Sequence, residues 1–314
     1  MNQDISICVL TENEMGWTEP FELDKVQILD NYYLSAQKSD IAFLKKMDTA
    51  RLLAGFRTTA GIDTKGVRPY GGWEDSLLGG HCVGHYLTAL AQAVKVTGDK
   101  ELKEKSQTLI AGLEECQKKL GTGFLFGAKV EDKEDVEKQF DILEGKKKGE
   151  TWVPWYNMHK VLAGLVDTYK YTGNETALLV AEKLGDWIYE RVSKWDLKTN
   201  QKVLETEYGG MNDCLYELYS YSHNKHHLEA AQKFDEKALF LMAAKGEKNC
   251  LDGKHANTQI PKFIGAIKRY NVLKQLGEAK QEDEAYLVDA EKFFEMVVKR
   301  HSFVTGGIGV MEHF

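Results

Sequence analysis

Apolar positions recur along this chain at helical spacing. In Val83–Val96, residues Val83, Leu87, Leu90 and Val94 fall at i, i+4, i+7 and i+11, the stripe a helix needs to bury one face. Gly98 and Asp99 end that run, and Lys100–Lys119 carries a second stripe through Leu102, Leu109 and Leu113. The resulting unit, a helix, a tight Thr-Gly-Asp turn and a helix, returns along the chain. Val161–Tyr171 and Thr176–Val192 flank Thr172-Gly173-Asn174, and Leu215–Tyr221 and Leu228–Leu241 flank Ser222-His223-Asn224. Ile264–Leu276 and Ala285–Val298 flank a looser Gly277–Asp283 connection. Only four prolines interrupt the chain, so it reads as all-α. The turns recur at roughly 50 to 75 residues, a looser period than most solenoids show. About eight to nine helices are predicted, where a closed ring of six hairpins needs twelve. The expectation is one helical domain over residues 1–314, an incomplete toroid of hairpins. An open stack of helix pairs has the same periodicity and stays open as an alternative.

Between the hairpins lie polar or glycine-rich segments: Thr58–Gly80, Thr122–Glu150, Asn200–Gly210, Asn249–Asn257 and Ser302–Phe314. Each joins the end of one hairpin to the start of the next. In a toroid they gather at one rim, where loops assemble a binding site. Val130–Glu150 is so charged that it reads as a solvated insertion.

Those rim segments carry the candidate chemistry. Pro69-Tyr70-Gly71-Gly72-Trp73-Glu74 leads into Gly79-Gly80-His81-Cys82-Val83-Gly84-His85, with Trp73 offering a stacking face and Glu74 a carboxylate. His81 and His85 stand four apart, as two metal ligands on one helix face would, but no glutamate completes an H-E-x-x-H motif. His81 is expected to face the rim and His85 to be a hydrogen-bonded core histidine. Thr151–Lys160 repeats the arrangement with Trp152, Trp155, Asn157 and His159, and at least one of the two tryptophans is expected to be packing. Glu205–Asp213 brings carboxylates, a glycine pair and Asn212, although Asn212 or Asp213 could equally cap a helix. His255-Ala256-Asn257-Thr258-Gln259 precedes a helix read as opened by Pro261. The last segment places Glu312 and His313 after a glycine-rich turn.

Stacking aromatics, imidazoles and amides for hydroxyls, and glutamates for proton transfer together describe a carbohydrate site. No G-x-S-x-G elbow, phosphate-cradling loop or dinucleotide fingerprint occurs. Hydrophobic residues make up 43% and charged residues 28% of the chain, enough apolar material for a large core, so disorder is excluded. The net charge of −7, with basic residues scattered among acidic ones, argues against nucleic acid as a partner. No membrane span is visible, and Met1–Thr18 lacks the basic start and apolar run of a signal peptide. The five cysteines, Cys8, Cys82, Cys116, Cys214 and Cys250, form no C-x-x-C pair. A reduced, cytoplasmic setting follows, with Cys82, Cys116 and Cys214 expected in the helical core.

Five segments in this order, Gly79–Ala91, Thr151–Gly164, Glu207–Tyr219, His255–Gly265 and Thr305–Phe314, resemble the β-L-arabinofuranosidases of glycoside hydrolase families 127 and 146. The resemblance covers nearly the whole chain and implies an (α/α)6 catalytic barrel. It implies Glu312 as general acid/base, and His159, His255 and His81 as residues lining the sugar pocket. Trp73, Glu74, Trp155 and Asn212 join them as substrate-binding candidates from their positions on the rim. The resemblance further implies a zinc-held cysteine nucleophile, with other cysteines and a glutamate as ligands. None of the five cysteines matches that set, whose positions would fall beyond Phe314, so no metal ligands are assigned in this chain. The expectation is thus the N-terminal part of a glycosidase module acting on arabinose-containing oligosaccharides or glycans, inactive alone and prone to self-association through exposed helix faces. Two rivals remain: a non-catalytic sugar-binding or interaction remnant, and a helical toroid with lyase or epimerase chemistry.

Overall fold

Asp30 and Asp48 start the first two helices of the computed structural model, which describes residues 20–247 and 250–314. Asp30 accepts from Tyr32 N and Tyr33 N to open α1 (Asn31–Lys46), and Asp48 accepts from Ala50 N and Arg51 N to open α2 (Thr49–Thr59). Such caps satisfy N–H groups that the first turn of a helix leaves without partners. Cys8 and the Met1–Thr18 segment lie outside the described residues.

The hairpins follow the turns read from the sequence. Helix α3 (His81–Thr97) ends on Gly98 in the left-handed conformation, and Asp99 caps α4 (Lys100–Leu120) by accepting from Leu102 N. Helix α6 (Pro154–Thr172) ends on left-handed Gly173, and Asn174 caps α7 (Glu175–Val192) through Ala177 N. Helix α9 (Met211–Ser222) ends on His223 at φ 52°, and Asn224 caps α10 (Lys225–Gln232) through His226 N. One residue at positive φ stops a helix and the next Asx starts another, which is why glycine, or exceptionally His223, precedes Asp or Asn each time.

Thirteen α-helices are present among the described residues, against the eight or nine expected. Helices α1 and α2 precede the first recognised hairpin. Two short helices, α5 (Lys138–Leu143) and α8 (Leu197–Leu204), lie in segments read as connections. The run Leu228–Leu241 is not one helix: α10 stops at Gln232 and α11 (Lys237–Ala244) follows a break in which Phe234 is fully buried. Helix α12 (Ala256–Gln275) begins five residues before Pro261, which therefore lies inside it and lacks the N–H that would bond the Asn257 carbonyl. Helix α13 (Glu284–Met296) completes the set. Isolated bridges are the only extended pairings among the described residues, in keeping with an all-α fold.

Val130–Glu150 is solvated only at its ends, residues 131–134 and 145–150, and its middle is built into the core. Phe140 is fully buried and packs edge-on against Phe124, Phe126, Trp155 and Trp187. The segment's charges converge on buried Arg191, which reaches Glu137, Asp141 and Glu144 at 3.0, 2.5 and 2.6 Å. The charge run is therefore half of an ion-pair network that clamps α5 to α7.

The main apolar core runs from α2 to α10, and a second one joins α11, α12 and α13. Helices α3 and α6 are the most closely apposed pair, meeting at Gly84 and Gly164. A Cβ on Gly84 would overlap the Lys160 carbonyl, and one on Gly164 would overlap Gly84 itself. That approach brings the N-termini of α3 and α6 together. No helix among the described residues is long and apolar enough to cross a membrane.

Candidate active site

The first corner of the site is the entry to α3. Glu74 folds back over the helix start, its Oε2 accepting from Gly80 N (2.9 Å) and its Oε1 from Cys82 N (3.2 Å). His81 is buried, with Nδ1 2.8 Å from the Leu78 carbonyl and 3.0 Å from Glu74 Oε1. Burial works against a charged ring there, but hydrogen bonds with Cys82 and Glu74 outweigh it and push His81 up to about 10. Glu74 is correspondingly held low: its burial opposes the charge, but His81 and the backbone N–H of Gly80 favour it. Trp73, 67% exposed, stands with its ring 6.2 Å from that of His81. His85 is exposed on the same side, 6.1 Å from His81 ring to ring, and is not a core histidine.

Helix α6 supplies the second corner. Trp155 is fully buried among Phe140, Trp187, Trp195 and Phe234, so it anchors the helix while Trp152 stays about half exposed at its entry. His159 is buried too, and burial holds it well below the ordinary histidine range. Its Nδ1 accepts from Gly210 N at 3.0 Å, which ties α6 to the start of α9. Tyr156 bridges the corners: its ring lies 6.3 Å from that of His81, and its hydroxyl neighbours Glu207 and Asn257.

Asn212, the first residue but one of α9, has no exposed surface. Its amide donates to Asp235 Oδ1 (3.3 Å) and to the Lys262 carbonyl (3.1 Å), bonds internal to the fold. The structure thus does not bring Asn212 or Trp155 to the surface that Trp73 shares.

The third corner joins the start of α12 to the last residues. His255 Nε2 lies 2.9 Å from Glu312 Oε2 and Nδ1 2.9 Å from Thr258 Oγ1. An ionised Glu312 can only accept, so Nε2 donates to it and Nδ1 takes the Thr258 hydroxyl proton. Backbone bonds hold the pair: Ala256 N to Glu312 O (2.7 Å), Phe314 N to Lys254 O (2.9 Å) and Gly253 N to Phe314 O (3.1 Å). Val310 and His313 exchange both backbone hydrogen bonds around Met311 and Glu312, at φ 51° and 67°. Such a two-residue turn normally takes Asn-Gly, so Glu312 is presented on strained backbone, 79% exposed, with its carboxylate on an imidazole.

Glu207, on the loop before α9, faces the same imidazole, 3.9 Å from His255 Nδ1. Burial pushes its carboxyl up, and its Oε1 is buried without a hydrogen-bond partner. Glu207 and Tyr156 are not among the residues that the sequence singles out, and Cys82, expected in the core, is only half-buried here. One signal was available: an acid shortly before a glycine pair that opens a helix occurs at Glu74 and again at Glu207.

The cysteines can be tested against the implied zinc-held nucleophile. Cys116 and Cys214 are buried and shifted upward by burial, to about 12 for Cys116. Cys250 lies against Met296 Sδ at 3.7 Å. No two of the described cysteines form a pair, so they do not fit that set. Cys82 is only half-buried, and with Glu74 and His81 it forms a different group of potential ligands, with ligand atoms within 4.8 Å of one another.

A family model for the GH127 catalytic domain of β-L-arabinofuranosidases matches residues 25–314. Among solved structures, a GH127 β-L-arabinofuranosidase of Geobacillus stearothermophilus T6 aligns with a TM-score of 0.57 at 16% identity, over 90% of this chain and 47% of that one. A second GH127 β-arabinofuranosidase gives 0.58 at 17% identity, over 93% of this chain and 45% of that one. This chain therefore spans about half the length of those solved relatives, and at such identity the likeness is one of fold. No curated protein matches it significantly. The matched family and the all-α hairpin architecture agree, and the chain belongs to the GH127 β-L-arabinofuranosidase catalytic-domain family.

Proposed function

We propose that this chain forms one helical unit of a glycoside hydrolase acting on arabinofuranosyl groups of oligosaccharides or glycans, with Glu312 as its general acid/base. The observation that carries the reading is the contact of Glu312 with His255, with Glu207 3.9 Å from the other ring nitrogen, which Thr258 occupies. Glu312 in its protonated form would give the proton on its other carboxyl oxygen to the leaving oxygen while Oε2 accepts from the His255 N–H, which holds the resulting carboxylate in place. Glu207, with an unpartnered buried oxygen and a raised carboxyl, is suited to accept from a sugar hydroxyl. Trp73 would stack on a sugar face, with Glu74, His81 and Tyr156 beside it. We assign no nucleophile among the described residues. The free cysteines fit a reducing compartment, and we place the protein in the cytoplasm.

The test is hydrolysis of an aryl β-L-arabinofuranoside. Where turnover is found, Glu312→Gln should lower kcat/KM by about 10²–10⁴-fold. A variant within a factor of three of wild type would remove Glu312 from the chemistry. The second reading, a sugar-binding unit without turnover, is favoured by the mismatch between the described cysteines and a zinc-held nucleophile. Saturable arabinofuranoside binding without hydrolysis by the 314-residue chain would select it.

A further expectation concerns α12 and α13. They expose Ile264 and Phe294, and a cleft of about 320 Å³ lies between these two residues, lined also by Ile260, Ile267 and Ala290. We expect the chain to self-associate through it, as contiguous apolar patches do. In sedimentation velocity the chain should shift to larger species with concentration, and Phe294→Glu should abolish the shift. A concentration-independent monomer would contradict this.

A further inference from the structure

We propose that Glu74, His81 and Cys82, where the Trp73 loop enters α3, form a binding site for a borderline-soft divalent cation of the zinc class. The site stands on its own geometry and does not depend on the sugar reading. It also differs in position and composition from the cysteine-rich zinc set that the family resemblance implies.

The His81 ring is already set for coordination. Its Nδ1 lies 2.8 Å from the Leu78 carbonyl, which can only accept, so Nδ1 carries a proton and Nε2 is the nitrogen left to bind a metal. A ring nitrogen bonded to a backbone carbonyl, with a carboxylate also in reach, is the usual support of a metal-bound histidine. Nε2 in turn lies 3.7 Å from Cys82 Sγ. Zinc bonds of about 2.0 Å to nitrogen and about 2.3 Å to sulfur, at a tetrahedral angle, place those atoms roughly 3.5 Å apart. The observed separation therefore needs almost no adjustment.

Glu74 is the third ligand. Its carboxylate is fixed by Gly80 N, Cys82 N and His81 Nδ1, contacts that take three of about four acceptor positions and leave one. Counting either ring nitrogen of His81, one ligand atom from each of the three side chains lies within 4.8 Å of the others, and Glu74 must swing from its place on Nδ1 to reach an ion bound at Nε2. Coordination would displace to solvent both the thiol proton of Cys82 and the proton on His81 Nε2, and the resulting sulfur, imidazole and carboxylate set suits zinc or cobalt far better than magnesium or calcium. Three protein ligands leave a fourth position for water, the pattern of an open rather than a closed zinc site. Trp73 and Tyr156 flank the same imidazole, so that position falls within the candidate site.

The test is a cobalt(II) titration of the reduced, metal-free 314-residue chain, followed by absorption. The expected result is a thiolate-to-cobalt charge-transfer band and tetrahedral visible bands that saturate at one equivalent, both removed by competing zinc. Cys82→Ser should abolish the charge-transfer band. Glu74→Gln keeps an oxygen for one of the two backbone caps and should weaken cobalt binding by about 10-fold or more, and circular dichroism would check that both variants are folded. No charge-transfer band at stoichiometric cobalt, or a band that survives in folded Cys82→Ser, would overturn the proposal. Because the signal is spectroscopic, failure of sugar hydrolysis leaves it readable.

Discussion

Replacing Arg269 with Met is expected to lower the stability of the fold by about 3–5 kcal/mol, the usual cost of stripping one partner from a buried ion pair. Arg269 lies on α12 and holds Asp283 through two bonds of 2.9 and 2.8 Å and Asp235 through one of 3.0 Å. It also donates to the hydroxyls of Tyr216 and Tyr286 at 3.3 and 3.0 Å. All three charged groups are buried, and Asp235 further accepts from Tyr216 and Asn212. One guanidinium therefore ties α9, the α10–α11 break, α12 and α13 together, bridging the two apolar cores. Methionine fills much of the volume but leaves two buried carboxylates with only neutral partners.

Urea unfolding at pH 7 would measure the loss. The sign of its pH dependence is a second check. Burial raises the Asp235 carboxyl even with Arg269 present, and without the cation it should rise further. A folded-state pKa above the unfolded value means that the folded state gains protons as pH falls. The deficit of Arg269→Met should accordingly shrink toward pH 5. A loss below about 1 kcal/mol, independent of pH, would show that the cluster behaves like a surface ion pair.

Gly84→Ala should cost about 3 kcal/mol or more, at or beyond the upper end for overpacking, because nothing near it can rotate away. The added Cβ would meet the Lys160 carbonyl and the Val161 amide, so α3 and α6 must separate. Gly112→Ala is the control, since its Cβ would meet the terminal methyls of Leu53. Thermal melts should show a clearly larger drop for Gly84→Ala than for Gly112→Ala. Equal drops would mean that the α3–α6 approach is not the constraint described here. Separating these helices would also pull His81 away from Tyr156, so sugar binding should fall in the variant.

Local signals in the sequence carried the hairpins. A left-handed residue followed by Asp or Asn fixes a helix end and the next helix start within two positions, and Gly98-Asp99 and Gly173-Asn174 are legible for that reason. What failed depended on distant partners. The charges of Val130–Glu150 look solvated until Arg191 of α7 is placed among them, and Phe140 is hidden by its polar neighbours in sequence. Phe234 belongs to the core although it interrupts what reads as one helix.

The site divides in the same way. Trp73 and Trp155 both precede or open a helix beside a histidine, yet one stands on the surface and the other fills the core. Only the packing of α5, α7 and the α10–α11 break decides which. His255 and Glu312 were legible through the family motifs, and their contact confirms that the two segments meet. Cys82 was read as core because its neighbours on α3 are, whereas its place in the first turn leaves its sulfur beside His81.

The measurement that tests the central claim most directly is calorimetric titration of this chain with methyl β-L-arabinofuranoside, alongside a glucopyranoside control. The account predicts saturable binding of the arabinofuranoside alone, weakened by Trp73→Ala and by Glu207→Gln while the fold is retained. No saturable binding at millimolar sugar, or binding that ignores both substitutions, would contradict it.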